Sequence, residues 1–480
     1  MNSDDFRRHA HQLVDWMADY IETLEDRPVR SRARPGEILG DLPAQAPQKG
    51  EAMERILDDF RDVLMPGMTH WQHPMFMAYF PANSSWPSVL GEMLTAVLGA
   101  QCMSWETSPA AAELEERVMD WLRDALGLPG DFEGVIQDTA STATLCALLS
   151  ARERATDFAI KSGGFAACGD QRFSIYCSDQ AHSSVAKAAR IAGFGDAALR
   201  TVPVDDEFAL QPQALAEMTA ADLAAGIRPL FAVAALGTTS STAVDPIDEM
   251  GRICHQHGIW LHVDAAYSGT ALLLPECRWM LGSARHVDSF VVNPHKWMAT
   301  NFDCTAYFVR DVKTLVQTFE IAPEYLRTRA DERVRNHRDW GIQLGRRFRA
   351  LKLWMVMRSF GLDGLQAMLR AHIAHGRWLA QQVDGHDQFE RLAPVPLNCV
   401  CFRWRPRAAG DDEQAVERAN RRLLAALQDD GRLYLTHTRL NGCFALRLVP
   451  GQTRVERRHV DAAWRLVTET AAGLARATDA

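Results

Sequence analysis

Apolar residues recur at two periods along this chain, and the period changes with position. Near the start, Phe6, Ala10, Leu13, Val14, Met17, Ile21 and Leu24 come at three- and four-residue steps with charges between them. That is the pattern of an amphipathic helix. Pro35, Pro43 and Pro47 then mark a connector. A lone amphipathic helix must bury its apolar face against something, and a second copy of the chain is a natural solution. From about residue 86 to 365, short apolar runs alternate with longer helical patterns. The runs at 134–137, 173–177, 230–236, 259–263, 289–292 and 305–309 read as strands, with 142–160 and 245–257 as helices between them. This alternation predicts an α/β layer with a mostly parallel sheet, because parallel neighbours need crossover connections that are usually helical.

From about residue 366 the pattern changes. A helical stretch runs to about Val383, followed by a strand at 399–405, a helix at 412–428 and strands at 433–436 and 443–448. Asn441-Gly442 is a hairpin turn signal before the last strand, and a final helix is predicted from about Thr453. Three parts follow: a helical N-terminal segment (1–85) suited to dimerisation, a large α/β domain (86–365) and a smaller α+β domain (366–480). Residues 320–340 lose apolar periodicity and become highly charged. They read either as a solvated surface loop or as a lid over a site.

With 480 residues, 47% of them hydrophobic and 24% charged, the chain fits a soluble globular protein of two or three domains. A net charge of -9 with no basic face argues against a nucleic-acid partner. Ten cysteines without a Cys-x-x-Cys pair suit reduced thiols and a cytoplasmic setting. The N-terminal pattern is no signal peptide. The apolar run at 229–236 is too short to cross a bilayer, so no membrane partner is expected. No metal is expected either: Cys254, His255, His257 and His262 fit no usual zinc spacing.

Four local features carry chemistry. Asn293-Pro294-His295-Lys296-Trp297 directly follows the run ending at Val292. Open α/β sheets bind ligands at the carboxyl ends of their strands, and a lysine amine there forms Schiff bases with carbonyl cofactors. Alone, such a lysine is usually solvated or structural. Asp264, in His262-Val263-Asp264-Ala265-Ala266-Tyr267, also ends a strand. A pyridinium nitrogen would be a partner for its carboxylate, although helix capping explains an isolated Asp as well. Thr139-Ala140-Ser141 lies between a strand and a helix, where first-turn N–H groups and hydroxyls suit a phosphate or serve simple N-capping. The polar turn Ser178 to Ser184 contains His182, which is either a turn residue or one able to stack on a planar ring.

The order of these features is more specific than any one of them. On them, together with Phe76 to Pro81, Glu113-Leu114-Glu115, Phe302-Asp303-Cys304 and Leu344 to Arg349, the sequence resembles the group II pyridoxal-phosphate decarboxylases, in the aromatic-L-amino-acid decarboxylase branch, along nearly its whole length. The resemblance implies fold type I, a homodimer and an aromatic amino acid as substrate. It implies Lys296 as the Schiff-base lysine, Asp264 as partner of the pyridine nitrogen and His182 as the stacking residue. Ala140, Ser141 and Asn293 would hold the phosphate with Thr139 close by, and Thr239, Ala266 and His295 would line the cofactor. Trp71, Tyr79, Phe80 and the partner subunit's Met103 would shape the side-chain pocket.

The family's loop tyrosine matches Tyr325, in Pro323-Glu324-Tyr325-Leu326, as donor of a proton to Cα. Relatives that instead run an oxidative route to an aldehyde, ammonia and peroxide typically carry Phe there, so Tyr325 favours plain decarboxylation. Arg447 matches a family arginine near the site and suits a carboxylate or a structural ion pair equally. Ala82 replaces a threonine of animal relatives, and Gln101 and Met103 replace more apolar or aromatic residues. These departures tilt the expectation away from a catechol ring.

Overall fold

The computed structural model describes residues 1–321 and 333–479. The chain divides into two units: Ala82–Arg377 with Ala393–Val400, and Met1–Pro81 with Trp378–Leu392 and Cys401–Ala480.

The first unit is built on a seven-stranded sheet. Its strands are β1 (Glu133–Gln137), β2 (Arg172–Ser178), β3 (Leu199–Val202), β4 (Ile227–Ala235), β5 (Trp260–Asp264), β6 (Ser289–Val292) and β7 (Thr305–Val309), in the order β1-β7-β6-β5-β4-β2-β3. β7 runs antiparallel to both its neighbours, and the other pairs are parallel. The fold is the mostly parallel α/β type that the alternation predicts. β6 and β7 are buried at every position, which is why they read as unbroken apolar runs rather than alternating ones. The helix Ala140–Ala155 lies against the sheet through small residues. Ala143, Cys146, Ala147, Ser150 and Ala151 are all buried on its inner face, at helical spacing. Ala143, Cys146, Ala147 and Ala151 join Ile175, Phe231, Val233, Trp260, Val291 and Tyr307 in one core. Each fully buried large apolar side chain there contributes about 1.5–3 kcal/mol relative to exposure.

Element ends shift from the sequence reading for local reasons. The helix expected over 142–160 stops at Ala155, and a separate short helix, Ala159–Gly163, follows the left-handed residues Asp157 and Phe158. β3 was not foreseen; it is a four-residue edge strand with one fully buried position. The long helix Arg349–Asp384 contains a non-helical Gly361 at φ +62°.

The second unit carries a four-stranded sheet in the order β10-β11-β9-β8, from β8 (Phe389–Arg391), β9 (Val400–Trp404), β10 (Thr436–Leu440) and β11 (Cys443–Leu448). The strand expected at 433–436 lies instead at Thr436–Leu440. Leu433 and Leu435 are buried, and Tyr434 pairs with the N-terminal segment: its carbonyl accepts from Met77 N–H at 2.8 Å and its N–H donates to Met75 O at 3.2 Å. Asn441 and Gly442, at φ +48° and +79°, close the β10–β11 hairpin between Leu440 and Cys443. Two positive φ values are what such a two-residue turn requires. The last helix starts at Arg457 rather than near Thr453. At the other end of the chain, Ser3–Glu22 is the predicted amphipathic helix, closed by a capping box from Asn2.

Candidate active site

The carboxyl ends of β1, β5 and β6 carry the residues singled out by sequence. Asp264 closes β5, in register with Ala235 of β4 and Val291 of β6. Its carboxylate is half-buried and accepts the N–H of Ala266 at 3.1 Å. The turn after β4 passes very close to the segment after β5. A Cβ on Gly237 would lie 1.9 Å from Ser268 Oγ, and Gly237 sits at φ +92°, so only glycine fits there. The turn contains buried Thr238, which accepts the N–H of Ala243 at 3.1 Å, and exposed Thr239.

Lys296 sits in the single helical turn Pro294–Trp297 just past β6, with its side chain half-buried. That turn is pinned from several sides. Asn293 N–H donates to Ala266 O at 2.9 Å, joining the ends of β5 and β6. Asn83 donates its side-chain amide to Lys296 O at 2.8 Å and its backbone N–H to His295 O at 3.2 Å. His295 Nδ1 accepts the N–H of Cys304 at 3.0 Å. Burial, reinforced by the Lys296 charge, drops the His295 pKa to about 3, so its ring is a neutral spacer next to the lysine.

At the end of β1, Asp138 accepts the N–H of Thr139 at 2.6 Å, and Thr139 caps the following helix through Thr142 N–H at 3.4 Å. Ala140 and Ser141 occupy the first turn, where backbone N–H groups have no intrahelical partner. Thr305 Oγ1 lies 3.1 Å from Asp138 O and 2.8 Å from Asn293 Oδ1. It thereby ties the Thr139 turn to the Lys296 turn. His182 follows β2; its Nδ1 accepts the N–H of Ser184 at 3.1 Å. Surrounding protein lowers the His182 pKa. Asp264 pulls it back up and Lys296 pushes it further down, so His182 senses both charges.

In the other unit, Trp71, Tyr79 and Phe80 gather with Arg447. Trp71 and Tyr79 stack at 5.8 Å, and Tyr79 Oη lies 3.3 Å from Tyr434 Oη. Buried Arg447 donates to Tyr79 O at 2.6 Å and lies 4.4 Å over the Phe80 ring. Back in the first unit, Ala82 is partly buried next to Asn83. Gln101 Oε1 accepts the N–H of Arg346 at 2.6 Å, and Met103 O accepts that of Arg338 at 2.8 Å, so both hold the segment that follows residue 332. Tyr325 lies outside the described residues.

Sequence reasoning did not single out Asn83 or Thr305, although each adjoins a stretch that it did mark. Nor did it assign a role to His262, whose buried ring lies 2.9 Å from Ser289 Oγ and whose pKa falls to about 4 through burial. The buried histidines predict acid sensitivity. Desolvation lowers His73, His262 and His337 to about 4, and His295 and His372 to about 3. In the unfolded chain each regains a pKa near 6.5. Between those values the unfolded state binds more protons, so stability present above about pH 6.5 drains away as pH falls toward 4, at up to about 1.4 kcal/mol per pH unit for each histidine. Asp245, pushed up to about 7 by burial, and Glu116, also raised by burial, oppose this with the opposite sign, but they are two groups against these histidines. The urea midpoint is therefore expected to fall steeply from pH 7.5 to 5; a flat profile contradicts the buried-histidine account.

An amine at one strand end, a carboxylate at the next, an imidazole sensing both and an open helix N-terminus form a donor set that fits a phosphorylated pyridine aldehyde. The comparisons with known proteins agree with that chemistry. The family model described as "Pyridoxal-dependent decarboxylase conserved domain" matches residues 35–405. The chain belongs to this family of pyridoxal-phosphate-dependent carboxy-lyases, and pyridoxal phosphate is its cofactor. It is 42% identical to phenylacetaldehyde synthase of Arabidopsis thaliana, over 99% of this chain and 97% of that protein. It is 41% identical to tryptophan decarboxylase 2 of Oryza sativa subsp. japonica, over 98% and 95%. The crystal structure of Oryza sativa TDC with PLP and tryptamine superposes with a TM-score of 0.95 at 37% identity, covering 99% of each chain.

Proposed function

We propose that this enzyme decarboxylates an aromatic L-amino acid (Phe, Tyr, Trp or dihydroxyphenylalanine) to the corresponding amine and CO2. The observation that carries the reading is the placement of Lys296 and Asp264 at adjacent strand ends, in a chain whose relatives are named for aromatic substrates. Lys296 would hold the cofactor covalently. Ala140, Ser141 and Asn293 would take its phosphate with Thr139 close by, and Thr239, Ala266 and His295 would line it. When bound, pyridoxal phosphate supplies a conjugated ring that accepts the electron pair released as CO2 leaves.

The rest is done by the protein. Asp264, half-buried at the end of β5, would keep a proton on the ring nitrogen. His182, its pKa lowered by burial, would stack on that ring. By the family resemblance, Trp71, Tyr79 and Phe80 would shape the pocket for the substrate side chain, with Ala82, Gln101 and the partner subunit's Met103; Arg447 stiffens the Tyr79-Phe80 corner. Tyr325 delivers a proton to the substrate Cα. A homodimer accounts for the helix Trp86–Leu98, which leaves Trp86, Leu90, Met93, Leu94 and Val97 exposed. A cytoplasmic setting accords with ten free cysteines and with the lack, among the described residues, of any helix long and apolar enough to cross a membrane.

The similarity to phenylacetaldehyde synthase supports a second reading, in which oxygen intervenes and an aldehyde, ammonia and peroxide form. Purified protein incubated with Phe, Tyr, Trp and dihydroxyphenylalanine, with CO2, amine, aldehyde and peroxide followed together, separates the two. Amine with little peroxide is expected; stoichiometric aldehyde and peroxide reverses the assignment. Tyr325→Phe is expected to lower the amine-to-aldehyde ratio at least tenfold, in line with the usual 10²–10⁴-fold worth of a positioned proton donor, roughly. An unchanged ratio removes Tyr325 from the proton path.

A further inference from the structure

Trp297, the residue after Lys296, is locked into a buried stack on the side away from solvent. Its indole lies 4.6 Å from the Tyr267 ring at 13° and 6.3 Å from the His372 ring at 9°. Its Nε1–H donates to His372 Nδ1 at 2.9 Å. Indole is a donor only, so Nδ1 must be the bare nitrogen and the ring proton resides on Nε2. His372 is 2% exposed, and Trp297 and Tyr267 are 0% and 1% exposed. The far side is equally tight. Tyr267 Oη and the Asn398 side-chain amide lie 2.8–3.0 Å apart. One turn after His372, a Cβ on Gly376 would come within 2.5 Å of Asn398 Cα, so the helix presses directly onto that segment.

We propose that His372 is a positioning residue for Lys296, acting through Trp297. The turn Pro294–Trp297 is only four residues long, too short to hold its own orientation. Asn83 fixes its carbonyls from one side, and the Tyr267–Trp297–His372 stack fixes its last side chain from the other. Trp297 cannot rotate without breaking a buried hydrogen bond, and Lys296 is covalently attached to it. This inference rests on the assignment of Lys296 as the cofactor-bearing lysine. Burial also drops the His372 pKa to about 3, so the ring stays an acceptor throughout the working pH range.

The test uses purified holoenzyme and four variants: His372→Leu, His372→Asn, Trp297→Phe and the double variant His372→Leu/Trp297→Phe. His372→Leu is expected to lower kcat by roughly 10–100-fold, the usual worth of a residue that orients a catalytic group from behind, with KM changed less than about threefold. It should also alter the circular dichroism of the bound cofactor band and speed cofactor release. Asn places an oxygen where Nδ1 was and should restore most of each signal. Trp297→Phe keeps a ring but drops the donor, and should reproduce the His372→Leu changes; the double variant should be no worse than either single one. If His372→Leu fails to fold, Trp297→Phe alone decides. Wild-type kcat and dichroism in the variants, effects that add in the double variant, or no rescue by Asn overturns the proposal. If wild-type protein shows no borohydride-reducible chromophore, the lysine assignment itself fails, which is a separate outcome.

Discussion

Lys296→Ala protein is expected to fold, to lose at least about 10³-fold in turnover, and to show no borohydride-trappable chromophore after loading with pyridoxal phosphate. The expectation follows from placement. Lys296 is half-buried at the end of β6, with Asp264 one strand away, and its backbone is held by Asn83 and Asn293 through bonds that do not involve the side chain. The turn therefore keeps these backbone bonds when the amine is removed. Reduction of the wild-type holoprotein followed by digestion should put the pyridoxyl tag on the peptide containing Lys296. A tag on another lysine, or a persistent chromophore in the variant, refutes the assignment.

Asp264→Asn should be nearly as severe, at about 10²–10⁴-fold in kcat, the range typical of removing one preorganised charge from a reacting centre. The substitution keeps shape, and its amide oxygen can still accept the Ala266 N–H. What it removes is the negative charge that keeps a proton on the ring nitrogen. A second consequence concerns His182. Asp264 raises the His182 pKa against burial and against Lys296, so neutralising Asp264 should lower that pKa further. An Asn variant with wild-type kcat would mean that the ring works without its nitrogen protonated, and the carboxylate would then be a capping group.

Much of this architecture was legible because its strands are buried on both faces. β6 and β7 could be read to the residue, since a run of apolar side chains bounded by Asn293-Pro294 or by Arg310-Asp311 has few other interpretations. β10 was misplaced because the apolar pattern at 433–435 serves a different partner, the segment around Met75 and Met77. Nothing local in a sequence reveals a pairing across more than 350 residues. Lys296, Asp264 and Thr139 could be named because each sits at a strand end, where chain punctuation marks the position. Asn83 and His372 could not. One reaches Lys296 from 213 residues away, and the other is one of two histidines along an amphipathic helix whose inner face is decided by packing.

The unit formed by Met1–Pro81 and the last eighty residues has a consequence for synthesis. Val29 N–H bonds to Gly431 O, Val449 N–H to Met77 O, and Glu25 holds Arg458 through two 2.7 Å contacts. The Met1–Pro81 segment thus leaves the ribosome well before its partners do, on the order of tens of seconds at ordinary elongation rates. Through that wait Phe76, Met77 and Ala78, all buried in the finished fold, are open to water and to other nascent chains. Yield in a producing cell should therefore depend on chaperone supply, and trimming the tail back past Gly431 should strip Val29, Met75 and Met77 of their backbone partners.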